Sequence, residues 1–101
     1  MSDEKLSSKQ KEELMKIWNE VSKRMQINFM IVLDFHVYKV KGEHAKILFI
    51  EQPKKFKEAF TIIFGYGVWK LFEKIIIEIC AKNNLDHKQV LALFEDPDLP
   101  L

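Results

Sequence analysis

Leu14, Ile17, Trp18, Val21 and Met25 recur at steps of three and four, with Lys11, Glu12, Glu13, Lys16, Glu20 and Lys23 between them. That spacing puts the apolar residues on one stripe of an α-helix and turns the charged ones mostly to water. Ser7-Ser8-Lys9-Gln10 supplies the start. The Ser7 side chain can accept from the amide three residues on, and Gln10 can reach back to the Ser7 amide, a capping box. Residues 1–6 read as a frayed leader.

Residues 27–40, INFMIVLDFHVYKV, support two readings. Asn28, Asp34, His36 and Lys39 scatter around a helical wheel instead of marking one face. From Leu33 the pattern alternates, with Leu33, Phe35 and Val37 set against Asp34 and His36. With Gly42 as a turn and Lys46–Ile50 as a return strand, a β-hairpin over 31–50 fits. A helix apolar on most sides would instead be central and buried, or lie at a subunit interface. Periodicity alone does not separate these.

Pro53 suits the first turn of a helix, where its missing N–H is not needed. Phe56, Ala59, Phe60, Ile63 and Phe64 then share one face, opposite Lys54, Lys55, Lys57, Glu58 and Thr61. Gly65-Tyr66-Gly67 interrupts, and one of these glycines can take φ > 0 and cap or hinge the chain. Beyond it, Val68, Leu71, Phe72, Ile75, Ile76 and Ile79 form a wider stripe running to Lys82. Asn83 or Asn84 can take a left-handed cap. Asp86…Gln89 is a second capping box, opening a short helix through Val90, Leu91 and Phe94. Pro97 and Pro100 end it, and residues 96–101 make an acidic, Pro-containing tail. The expected organisation is one helical domain over 7–95, with a core drawn from Leu14, Ile17, Trp18, Val21, Phe56, Phe60, Phe64, Leu71, Phe72, Ile75 and Ile79.

Composition narrows the function classes. The 101 residues suffice for one domain. Sixteen basic and fifteen acidic residues, net +1, exclude a histone-like basic protein and an acidic disordered tail protein. All the basic residues except Arg24 are Lys, and Ile is abundant, a bias that suits a thermophile or a low-GC genome equally. A single cysteine excludes a disulfide framework or a Cys-rich zinc site, and fits a reducing cytoplasm. The polar N-terminus has no signal-peptide pattern, and the longest apolar run, Phe29–Leu33, is far short of a membrane span.

The stretch from Gly42 to Cys80 carries a likeness. Its glycine loop, Gln52-Pro53, Phe56, Ala59, the Phe64-Gly65 pair and Gly67 before a long helix resemble small archaeal output-type domains of unknown function. These occur alone or fused to signalling proteins. Gln52 stands where Asn caps better, and Tyr66 where an acidic residue is more usual. The resemblance implies an all-α domain with 43–51 helical, and it implies no catalytic residues. With it, the expected fold is an all-α, compact bundle of five or six helices, the hairpin being the alternative.

Candidate chemistry is sparse. His36, His44 and His87 are not spaced as metal ligands, so no metal or other cofactor is expected. Cys80 sits among Ile76, Ile77 and Ile79, the setting of a buried inert thiol. Gly65-x-Gly67 follows an amphipathic helix and lacks the third glycine and the Lys-Ser/Thr pair of a phosphate loop. Glu12-Glu13 lies on a solvated face among lysines. Lys39, Lys41, Lys46, Lys54, Lys55 and Lys57 against Glu43 and Glu51 form a basic patch. Without Arg or interleaved aromatics, it suits an acidic protein surface or weak nucleic-acid binding, and is foremost a solvated face.

The strongest signal is apolar excess. Trp69, Phe72, Ile76, Ile77 and Cys80 flank the main stripe of the last long helix, and together they cover over half its circumference. A small monomer does not readily bury that much, so these five are the expected interface of a homodimer. The expected function is a non-enzymatic regulatory or protein-interaction module of the cytoplasm, in signalling, with no membrane partner. A small apolar-ligand sensor with a Phe-rich pocket is one alternative, and a weak nucleic-acid binder through Lys39–Lys57 the other.

Overall fold

The computed structural model describes residues 6–95, and among them every element is a helix. These are α1 (Ser8–Arg24), α2 (Ile27–Lys41), α3 (Ala45–Glu51), α4 (Pro53–Phe64), α5 (Tyr66–Lys82) and α6 (His87–Ala92). The fold is thus an all-α bundle. The expected leader lies outside the described residues except for Leu6, which packs against the core. The acidic tail over 96–101, with its prolines, lies outside them entirely.

The hairpin alternative is overturned. Leu33 and Val37, four residues apart, are fully buried on one helical face, and Phe29 and Met30 pack one turn earlier. The apparent alternation comes from Phe35, an aromatic that is 58% exposed. Gly42 ends α2 in the left-handed region at φ 74°, its amide donating to the Tyr38 carbonyl at 2.7 Å. It is a helix cap, not a hairpin turn.

Local chemistry sets the other boundaries. The Ser7 hydroxyl accepts from Gln10 N at 3.1 Å and Ser7 N donates to Gln10 Oε1 at 2.8 Å, completing the capping box. Pro53 opens α4 at its first position. Gly65 alone separates α4 from α5, at φ 91° and ψ 163°, a region essentially confined to glycine. Gly67 lies inside the first turn of α5 and has no such constraint. Asn84 takes the left-handed cap after α5 at φ 58°, and Leu85 N donates to the Cys80 carbonyl at 2.8 Å, the outer bond of a Schellman motif. The Asp86 carboxylate accepts from Lys88 N and Gln89 N to start α6.

α4 is the hub. Fully buried Phe56 has ring neighbours from every other helix region except α2: Trp18, Phe49, Phe60, Trp69, Phe72 and Phe94 lie 5.1–6.5 Å away between centroids. α2 packs on α3 and α4, with Phe29 stacked on Phe64 at 5.4 Å and Lys41 paired with Glu58 at 2.6 Å. These two links run α2 antiparallel to α4. Arg24–Glu78 and Glu20–Lys82 likewise set α1 antiparallel to α5. The N-terminal end of α2 therefore sits near the α4–α5 junction.

Candidate interaction surface

On α5 the expected inside and outside are exchanged in part: Phe72 and Ile79 are buried in the core as expected, but other residues change sides. Trp69, Phe72, Ile76 and Cys80, expected at an interface, are at most 2% exposed and form the core of their own chain. Only Ile77 of the five is partly exposed. Leu71, expected in the core, is 61% exposed, and Val68 and Ile75 are exposed or half-buried beside it. Both sides of α5 are apolar. The side bearing the aromatic rings faces α4 because those rings interlock with Phe56, Phe60 and Phe94. Trp69 Nε1 is buried there and has no hydrogen-bond partner among the described residues.

The surplus apolar surface lies chiefly on α2. Ile27, Ile31, Val32, Phe35 and Tyr38 are between 44% and 74% exposed. At 100° per residue they share one outer sector, opposite buried Leu33 and Val37. Over the three turns from Ile27 to Tyr38 the helix carries one charged carboxylate, Asp34, and that group is turned to α3. Asp34 Oδ1 accepts from Ala45 N at 2.8 Å, and Oδ2 lies 3.1 Å from His44 Nδ1. Tyr38 rests on the His44 ring at 4.9 Å, and Lys39 Nζ stands 5.5 Å over Phe35. Between these groups runs an open groove of about 530 Å³, lined by Met30, Ile31, Asp34, Phe35, Tyr38, Lys39 and His44. The sequence leaves residues 27–40 open between a hairpin strand and a helix for a centre or an interface, and singles out none of these residues. The signal was present: no charge at 27, 31, 32, 35 or 38.

Part of the basic patch is engaged within the chain. Lys41 is spent on Glu58, and Lys57 bonds Glu95 at 2.8 Å while lying near the Tyr66 and Trp69 rings. Lys39 covers Phe35. Lys46, Lys54 and Lys55 have no carboxylate within ion-pair distance among the described residues. Lys54 and Lys55 are successive on α4 and diverge by about 100°. Among the described residues His44 alone of the three histidines has a carboxylate partner. Burial pushes the Cys80 thiol up to about 11, with Glu13 and Asp86 adding to the effect. Glu12 and Glu13 line a second open groove with Lys9, Lys16 and Leu85. Gly65 and Gly67 act as cap and first turn. No helix of the described residues is long and apolar enough to cross a membrane. No protein family, curated protein or solved structure matches this chain.

Proposed function

We propose that this chain is a non-enzymatic protein-interaction module that works as a homodimer through the outer face of α2. The observation that carries this reading is the uncharged stripe Ile27, Ile31, Val32, Phe35 and Tyr38, left facing water on a helix whose other side is buried. A helix apolar on most of its circumference needs cover on both sides. α3 and α4 cover one side, and the second copy covers the other. The five side chains expose on the order of 600 Å², so a two-fold contact buries about 1,200 Å², the lower edge of the range for specific complexes.

The likeness of residues 42–80 to archaeal output-type domains supports a regulatory role in signalling. A free, buried Cys80 suits a cytoplasmic setting. The small-ligand alternative needs a cavity among the phenylalanines. Phe49, Phe56, Phe60, Phe72 and Phe94 pack ring against ring there instead. The nucleic-acid alternative needs the lysines on one face, and Lys41 and Lys57 are held in ion pairs.

Amide NMR over a concentration series tests the reading. Shifts should move with concentration at residues 27–40 and hold still on α6. Spectra independent of concentration, in a particle of single-chain mass, would remove it.

A further inference from the structure

We infer that the two α2 helices pair antiparallel, the Ile27 side chain of each copy seating in the α2 groove of the other beside Tyr38. This rests on the dimer reading above and fixes how that dimer is built.

The first ground is shape. The outer face of α2 is not uniform along its length. At its N-terminal end Ile27 is the most exposed large apolar side chain on the helix, at 74%, and stands free to enter a partner's surface. Its later turns are concave, because Asp34 draws His44 in against Tyr38, and the groove lies between them. Ile27 is not among the groove-lining residues, and Tyr38 is, some 16 Å further along the helix. One face thus carries both a free apolar side chain and a recess. A two-fold axis across α2, passing between Ile31 and Phe35, sets each Ile27 opposite the other copy's recess. That is the self-complementarity an isologous contact requires, in which residue i meets j and j meets i.

The second ground is charge. Towards its C-terminal end α2 carries Lys39 on this outer side, while Lys41 is already paired with Glu58. Its N-terminal end, Gln26 to Val32, carries no charge at all. Parallel pairing would bring the two Lys39 side chains together and align two helix dipoles. Antiparallel pairing instead lays each Lys39 beside the uncharged segment 26–32 and opposes the dipoles. The remaining carboxylate, Asp34, is already engaged by Ala45 N and His44.

Single cysteines at exposed positions separate the arrangements. Ile27→Cys and Tyr38→Cys are prepared separately in the full chain, with Cys80 left in place because it is fully buried. Each is treated with a short bis-maleimide alone, then as an equal mixture allowed to exchange by dilution and reconcentration. The expected result is a cross-linked dimer in the mixture and none in either variant alone. A cross-link in either variant alone overturns the antiparallel arrangement and leaves self-association through α2 standing. No cross-link in any sample, from variants that keep a doubled mass, overturns the α2 contact itself. No cross-link from a wild type of single-chain mass removes the dimer reading with it.

Discussion

Asp34 on α2 caps α3 from eleven residues away: its Oδ1 accepts the Ala45 amide at 2.8 Å, while the side chain of the N-cap residue, His44, caps no amide of the helix. A cap from another helix ties α3 to α2 and fixes the loop through Gly42. Asp34→Ala should cost about 1–2 kcal/mol, the usual value of a lost N-cap, and Asp34→Asn should recover most of it because the amide oxygen still accepts. Thermal melts followed by circular dichroism distinguish the two variants. Equal loss in both would mean that the charge, through His44, outweighs the cap.

Gly65 and Gly67 should behave oppositely. An added Cβ meets nothing within 4 Å at either site, so only the backbone decides. Gly65→Ala forces a side chain into φ 91° and should destabilise by about 1–3 kcal/mol. Gly67→Ala, on helical backbone, should be neutral or stabilise by about 0.5–1 kcal/mol. Urea midpoints read both. A Gly65→Ala midpoint at the wild-type value would contradict the assigned conformation.

The two sides of α5 give a third contrast. Ile76→Ala removes a fully buried side chain and should cost about 2–5 kcal/mol. Leu71→Ser lies on the exposed side and should change stability by no more than about 0.5 kcal/mol. A large loss from Leu71→Ser would place that side inside the protein as it exists in solution.

These contrasts mark what the sequence makes legible. α1, α4 and the caps at Ser7, Pro53, Gly65, Asn84 and Asp86 follow from local rules, because each signal lies within a few residues of the structure it sets. α5 does not. Val68, Leu71 and Ile75 are as apolar as Trp69, Phe72 and Ile76, so periodicity identifies a helix but not its inner side. That choice is made by ring packing against Phe56, Phe60 and Phe94, which no local window contains. α2 is ambiguous for a related reason. Phe35 and Tyr38 are apolar residues facing outward, and their presence blurs both the helical and the two-residue period. The Asp34–Ala45 cap, the central feature of the α2 groove, joins residues that no local motif connects.

Cys80 sets an alkaline limit. Its thiol is raised in the folded chain to about 11, from an ordinary value near 9.0. The folded state therefore holds that proton more tightly than the unfolded state does. Its contribution to stability is fully present below pH 9 and is lost as pH rises through about 11. Cys80→Ala should flatten the stability profile over that window, because lysine titration is common to both proteins. In the native protein near pH 8 the thiol should resist a chromogenic disulfide reagent and react only on adding denaturant. Rapid labelling without denaturant would contradict its burial.

The central claim, that the outer face of α2 is covered by a second copy, is tested most directly by light-scattering mass over a concentration series for the wild type and Phe35→Glu. Phe35 is exposed in the single chain, so the variant should keep the wild-type helical signal. The account predicts twice the 12.0 kDa chain mass for the wild type at high concentration, and the chain mass for Phe35→Glu throughout. A wild type that stays at the single-chain mass at every concentration, or a Phe35→Glu variant that dimerises as tightly as the wild type, would contradict it.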